Sequence, residues 1–234
     1  MPDGSRAIDA AAALPREPLA IFFDLDGTLA DTAADLATPV NAMRIERGLP
    51  PMPLAQLRPF ASMGARGLLG AGLGLRPEDA GFDAARADFL QRYERSICVH
   101  TRLFDGAHAL LDAIEARGWR WGVVSNKVER YVRPILDQLG LLARSAATVG
   151  GDTAEHAKPH PAPLLYAAAR VGIDPRTCLY VGDDRRDVIA GRAAGMMTAA
   201  ASYGYNGDDA DPGDWGADVV IDGLPALFPI LGLR

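Results

Sequence analysis

The chain has 234 residues, 49% of them hydrophobic and 23% charged, which is enough to bury a substantial core in one or two domains. With 30 Asp and Glu against 24 Lys and Arg, the net charge of −6 supplies no basic face to neutralise a nucleic-acid backbone, so nucleic acid is not an expected partner. No window reaches the ~18 consecutive apolar residues of a membrane span, and Cys98 and Cys178 fit neither a disulfide framework nor a zinc site, so a cytoplasmic protein without membrane attachment is expected.

Residues 1–18 have only a five-residue apolar stretch, Ala10 to Leu14, too short for a secretory signal, and are expected to form a flexible extension. Leu19 to Phe23 then forms a short apolar run ending in an acidic, glycine-containing turn, the pattern of a buried parallel strand that delivers a loop at its carboxyl end. From Asp31 to Arg102 the sequence turns helical, with hardly any β-branched strand run. Thr32 is placed to cap a helix toward Arg47, Leu54 to Ala61 forms a second, and Ala84 to Ser96 a third with Phe89, Leu90 and Tyr93 on its apolar face. Pro39 should kink or interrupt the first helix. The five glycines between Gly64 and Gly74 fit either a closely approached loop or a small-residue helix packing surface.

Strand and helix patterns alternate after Arg102. Helical periodicity over Ala107 to Arg117, Tyr131 to Leu139 and Leu164 to Val171 stops at Gly118, Gly140 and Gly172, as helices do at glycine. Strand-sized runs lie at Trp119 to Ser125, Ala147 to Val149, Cys178 to Gly182, Met197 to Ala201 and Val219 to Ile221. This alternation predicts an α/β fold, a doubly wound parallel sheet, with an all-helical insertion. The core domain is expected from residues 19–30 and 103–234, and the helical domain from 31–102.

The chemistry-bearing residues sit at strand ends, where doubly wound sheets place their ligands. Asp24-Leu25-Asp26-Gly27-Thr28 follows the first strand, and Gly27 lets the loop turn so that both carboxylates face one site. One aspartate can then attack phosphorus while the other passes protons to and from the leaving oxygen and water. Two carboxylates beside a phosphate dianion require a counter-charge, which Mg²⁺ on oxygen ligands supplies. Taken singly, other candidates have structural explanations: Ser125 as a helix cap, Lys158 as a surface charge, Asp187 as an acid favoured by a helix N-terminus.

The ensemble resembles the haloacid dehalogenase (HAD) superfamily of aspartate-nucleophile phosphatases. Its first motif reads DxDGT, and the others are matched in order by Ser125-Asn126, by Lys158 in Lys158-Pro159, and by Gly182-Asp183-Asp184-Arg185-Arg186-Asp187. The resemblance implies Asp24 as nucleophile, Asp26 as general acid and base, and Ser125 and Lys158 as phosphoryl-binding catalytic residues. It implies Mg²⁺ held by Asp24, the backbone carbonyl of Asp26, Asp183 and Asp187, with Asp187 acting through metal-bound water and Asp184 as a supporting group or helix cap. Thr28, Asn126 and Arg66 are the expected substrate contacts; Arg66 offers a fork for a carboxylate. An acid at position 26 distinguishes phosphatases and phosphomutases from the dehalogenases and P-type ATPases of the superfamily.

The helical insertion resembles the C1-type cap that selects the leaving group. The chain from Leu19 to about Leu231 resembles the phosphoglycolate phosphatase branch through Asp31-Thr32, Ser62 to Ala65 and Lys158-Pro159. It is similar in more detail to the N-acetylmuramic acid 6-phosphate phosphatases of peptidoglycan recycling, through Gly64-Ala65-Arg66, Val99-His100, Leu103-Phe104, Trp121 to Lys127, Gln138 to Leu141, Tyr203-Gly204-Tyr205 and Trp215 to Asp218. His160, where many relatives have Asp, and Pro39 depart from the pattern. The expected substrate is therefore a small-molecule phosphate ester, N-acetylmuramic acid 6-phosphate first. 2-Phosphoglycolate hydrolysis and a sugar-phosphate phosphomutase are the alternatives; a non-catalytic phosphate-binding domain is opposed by the intact acidic set.

Overall fold

The computed structural model describes residues 14–207 and 211–234. The expected extension lies, for residues 1–13, outside the described residues; Leu14 packs against the sheet core and Glu17 pairs with Arg117 at 2.6 Å. Strand β1 (Ala20–Phe23) enters the core, and β2 (Ala30–Asp31) leads into α1 (Ala33–Glu46), α2 (Leu54–Leu57), a 3₁₀ segment (Arg58–Met63), α3 (Gly64–Leu73) and α4 (Phe82–Glu94). The chain returns through β3 (Arg102–Leu103) and continues as α5 (Ala107–Ala116), β4 (Arg120–Val124), α6 (Glu129–Gln138), β5 (Ala147–Val149), α7 (Ala162–Val171) and β6 (Cys178–Gly182). It closes with α8 (Arg185–Ala193), β7 (Met197–Ala201), β8 (Val219–Ile221) and α9 (Leu227–Ile230).

Six strands form one parallel sheet in the order β5-β4-β1-β6-β7-β8. Side chains alternate across it, as the two-residue period of a strand requires. Ile21 and Phe23 join a cluster with residues of α5 and α6 on one face, while Ala20 and Phe22 pack with residues of α7 and α8 on the other. This two-sided burial explains why the strands read as unbroken apolar runs. β1 lies between β4 and β6, with Phe23 paired to Val123 and to Val181. The chain reverses direction of winding there, so the crevice at the carboxyl ends of β1, β4 and β6 is the topological switch point.

The helices between β2 and β3 build their own apolar cluster around Leu36, Val40, Met43, Leu68, Leu69 and Phe89. β2 and β3 pair antiparallel, Ala30 with Leu103, so the outgoing and returning chains are tied side by side. Buried Asp35 adds to the tie by accepting bonds from the backbone of His100 and Thr101 and the Thr101 hydroxyl. Helix α1 runs through Pro39 as one continuous helix, so of the expected kink or interruption the interruption does not occur. One backbone bond is forfeited there, but the ring is buried within the helical cluster. The glycine-rich stretch is a helix, and Gly72 shows why: a Cβ there would lie 2.3 Å from Cγ2 of Val40, so glycine is what lets α3 approach α1. Among the described residues no helix is long and apolar enough to cross a membrane.

Candidate active site

The backbone of Asp24 continues the sheet by donating to Val181 O at 2.9 Å, and Ser125 N does the same to Val149 O at 2.9 Å. Gly27, with φ of 84°, then turns the loop back toward β6. The turn brings the Thr28 hydroxyl to Asp183 Oδ1 at 2.9 Å, while Tyr205 N donates to Asp183 Oδ2 at 2.7 Å. A side chain at Gly27 would collide with that same carboxylate, its Cβ 2.2 Å from Oδ2. Asp184 caps α8, and its carboxylate and that of Asp187 exchange backbone bonds in a reciprocal capping box, fixing where Asp187 points.

Lys158 is almost fully buried and sits at the centre of this group. Its ammonium contacts Asp187 Oδ1 at 2.7 Å and Asp24 Oδ2 at 3.2 Å, and donates to Val124 O at 3.1 Å and the Tyr180 hydroxyl at 2.7 Å. Asn126 holds the lysine's backbone from both sides, Nδ2 donating to Lys158 O and Oδ1 accepting from Lys158 N, each at 2.9 Å. Burial opposes the ammonium's charge, but Asp187 and Asp24 outweigh it and keep the pKa above its ordinary value.

One carboxylate oxygen from each of Asp24, Asp183 and Asp187 lies within 4.8 Å of the other two. Lys158 pairs with two of these three carboxylates, Asp24 and Asp187. Burial first, then the charges of Asp24 and Asp187, push the Asp183 carboxyl well above the usual carboxylate range; burial pushes Asp187 up to about 6 against the pull of Lys158. Such a surplus of buried negative charge is costly unless a cation compensates, and an all-oxygen set is what Mg²⁺ prefers. The donor set fits the ion. Asp184 stands outside the trio, held below its ordinary pKa by Arg186 despite its burial.

Asp26 is also outside the trio; its Oδ1 accepts from the Thr32 hydroxyl and from Lys127 Nζ, the latter at 2.6 Å. Burial opposes the charge of Lys127, but Asp26 more than offsets it and holds the pKa above the ordinary lysine value. The same ammonium lies 5.1 Å from the centre of the Tyr93 ring on α4. A cavity of about 320 Å³ opens over these groups, within the size range of small-molecule sites. Asp24, Asp26, Ser125, Asn126, Lys158 and Asp187 line it, as do Met63, Arg66, Arg86, Phe89, Leu90 and Tyr93 of the helical insertion.

A family model for haloacid dehalogenase-like hydrolases matches residues 21–201. The chain belongs to this family. Within it, a phosphoglycolate phosphatase of Xanthomonas campestris pv. campestris is 47% identical over 213 residues, covering 91% of this chain and 96% of the relative. An N-acetylmuramic acid 6-phosphate phosphatase of Pseudomonas putida is 46% identical over 203 residues, covering 87% and 91%. The crystal structure of a "predicted phosphoglycolate phosphatase" from Haemophilus somnus superposes with a TM-score of 0.79 at 27% identity, covering 92% of this chain and 99% of that one. The chain is accordingly a phosphatase of the HAD superfamily.

Asp24, Asp26, Ser125, Asn126 and Lys158 of this HAD hydrolase line one cavity, and Arg66 lines it too. Thr28 departs from its expected place at the substrate: it is fully buried and its hydroxyl serves Asp183. Asn126 does line the cavity, but its amide is engaged with Lys158. Lys127, Tyr180 and Tyr93 went unassigned in the sequence. Lys127 stands directly after the Ser125-Asn126 motif, the one local signal available. Tyr180 is an ordinary core residue of a strand pattern until the fold sets its hydroxyl between Lys158 and Val124 O.

Proposed function

We propose that this phosphatase hydrolyses a small phosphomonoester through an aspartyl-phosphate intermediate on Asp24, with N-acetylmuramic acid 6-phosphate as its substrate in peptidoglycan recycling. The observation that carries the reading is the placement of Asp24 against Lys158 at 3.2 Å, in a cavity shared with a second acid two residues along the chain. Asp24 attacks phosphorus, the bond from phosphorus to the ester oxygen breaks, and Asp26 delivers its proton to that oxygen. Water then attacks the phosphoaspartate, Asp26 takes the water's proton, and Asp24 departs as a carboxylate. Both recorded donors to Asp26 use Oδ1, which leaves Oδ2 for this proton traffic. Lys158 and Ser125 counter charge on the phosphoryl oxygens, a preorganised stabilisation of the kind that dominates such transfers. Mg²⁺, which Asp24, Asp183, Asp187 and the Asp26 carbonyl would hold, supplies further neutralisation of the phosphoryl charge.

Residues 31–102 act in this reading as a cap over a core formed by 19–30 and 103–234, supported by the apolar cluster that the insertion's helices build and that Tyr131 and Tyr205 of the core join. Arg66 offers a fork to a substrate carboxylate. The two free cysteines suit a cytoplasmic setting. Because relatives of nearly equal identity carry either name, 2-phosphoglycolate is the second reading; a sugar-phosphate phosphomutase comes after it. The test is phosphate release with Mg²⁺ from N-acetylmuramic acid 6-phosphate, 2-phosphoglycolate, glucose 6-phosphate and β-glucose 1-phosphate. The first should have the highest kcat/KM; a clear preference for 2-phosphoglycolate overturns the choice of substrate.

A further inference from the structure

The cavity walls carry an ordered distribution of charge. At the inner end, next to Asp26, lie two polar groups that the fold leaves incompletely satisfied. Lys127 Nζ has three donor hydrogens and one hydrogen-bond acceptor among the described residues, Asp26 Oδ1. The Tyr93 hydroxyl is buried and has no hydrogen-bond partner within 3.5 Å; the Lys127 ammonium engages it only weakly, by its charge and a long hydrogen bond. Both residues line the cavity. Buried polar groups normally have partners, so an oxygen acceptor from a ligand fits here. In the resting site Lys127 is paired with Asp26 at 2.6 Å, so a ligand carboxylate arriving before Asp26 takes up its proton would bring a second anion to one ammonium. A neutral hydroxyl or ether oxygen uses the spare donors without that repulsion.

The outer end has the opposite character. Arg86, Phe89, Leu90 and Tyr93 line the cavity from one face of α4, at the i, i+3, i+4, i+7 spacing that aligns on a helix. Arg86 therefore lies about 10 Å from Tyr93 along the helix axis, with an apolar stretch between them. Arg86 and Arg66 are exposed, and neither has a carboxylate partner among the described residues. Arg66 and Arg86 both line the cavity as exposed guanidiniums without such a partner, the kind of group that binds anions.

We propose that Lys127 and Tyr93 form a subsite for neutral hydroxyl or ether oxygens near the scissile ester and that Arg66 and Arg86 receive a carboxylate beyond it. The cavity then selects phosphomonoesters whose second anionic group is remote from the phosphate. The proposal rests on the phosphatase reading above and sharpens it. In N-acetylmuramic acid 6-phosphate the carboxylate is on a lactyl ether across the sugar ring from the phosphate, with neutral oxygens between. In 2-phosphoglycolate the carboxylate is attached to the carbon bearing the ester oxygen, which places it at Lys127 and out of reach of Arg86.

The test measures kcat/KM with Mg²⁺ for N-acetylmuramic acid 6-phosphate, its carboxylate-free counterpart N-acetylglucosamine 6-phosphate, and 2-phosphoglycolate. The wild type should rank them in that order. Arg86→Gln, an exposed change, should lower the ratio of the first to the second about tenfold, the scale of a charged hydrogen bond. Tyr93→Phe removes a buried hydroxyl that makes no hydrogen bond within 3.5 Å, and should lower the ratio of either sugar phosphate to 2-phosphoglycolate about fivefold. Faster turnover of 2-phosphoglycolate than of N-acetylglucosamine 6-phosphate, or ratios that neither variant moves, overturns the subsite assignment while leaving the hydrolase intact. No phosphate release from any ester, p-nitrophenyl phosphate included, overturns the hydrolase reading and this inference with it.

Discussion

Lys158→Met replaces the ammonium at the centre of the acidic site with an apolar chain of similar length. The ion has 2% side-chain exposure and lies 2.7 Å from Asp187 and 3.2 Å from Asp24, so its loss leaves two carboxylates facing each other with no counter-charge. Removing one partner of a buried ion pair costs about 3–5 kcal/mol, which for a chain of this length is roughly 6–20 °C in Tm at ~2–4 °C per kcal/mol. Asp187, already pushed up to about 6, relieves part of the strain by taking a proton. The metal-free variant should therefore fall at the lower end of that range near neutral pH. The gap to wild type should narrow toward about pH 5, where protonation removes the repulsion. Differential scanning fluorimetry on metal-free protein at both pH values reads the effect. In the same variant kcat should fall about 10²–10³-fold, the scale of losing one preorganised charge-stabilising donor. A variant whose Tm matches wild type at neutral pH, or whose kcat is undiminished, refutes the assignment of Lys158 as the counter-ion.

Two other perturbations probe the metal site and the helical insertion. Burial raises the carboxyls of Asp183 and Asp187 in the metal-free fold, so their contribution to stability is present below the unfolded carboxylate pKa and is lost as pH rises through about 6 for Asp187. Mg²⁺ should restore what is lost, giving a larger rise in Tm at about pH 7.5 than at about pH 5, and an equal rise at both contradicts the ligand assignment. Gly72→Ala places a Cβ 2.3 Å from Val40 Cγ2 and should destabilise the protein by about 1–3 kcal/mol. Adding Val40→Ala should make the double variant less destabilised than the sum of the single changes, as denaturant unfolding would show; strict additivity contradicts the close α1–α3 contact.

What was legible in the sequence follows from where the information lies along the chain. Asp24 and Asp26 are two residues apart and Asp183 and Asp184 are adjacent, so a short window displays the chemistry, and the preceding apolar strands say which end of the sheet it occupies. The five core strands after β1 were readable for the same reason: strands buried on both faces show as continuous apolar runs. Lys127 was not readable, because its partners Asp26 and Tyr93 come from the β1 turn and from α4, and no periodicity links them. Thr28 was misplaced at the substrate because sequence spacing shows that a hydroxyl is near the turn but not which carboxylate it meets. Pro39 illustrates the converse. A local rule allows a kink or an interruption there, and the helix continues through the buried proline.

The central claim is that Asp24 becomes covalently phosphorylated. Rapid acid quench during turnover of N-acetylmuramic acid 6-phosphate, followed by borohydride reduction and peptide mass spectrometry, tests it directly, because an acyl phosphate is reduced to the alcohol. The account predicts homoserine at position 24. Phosphate release with position 24 unmodified, or with the reduced residue at another aspartate, would contradict it.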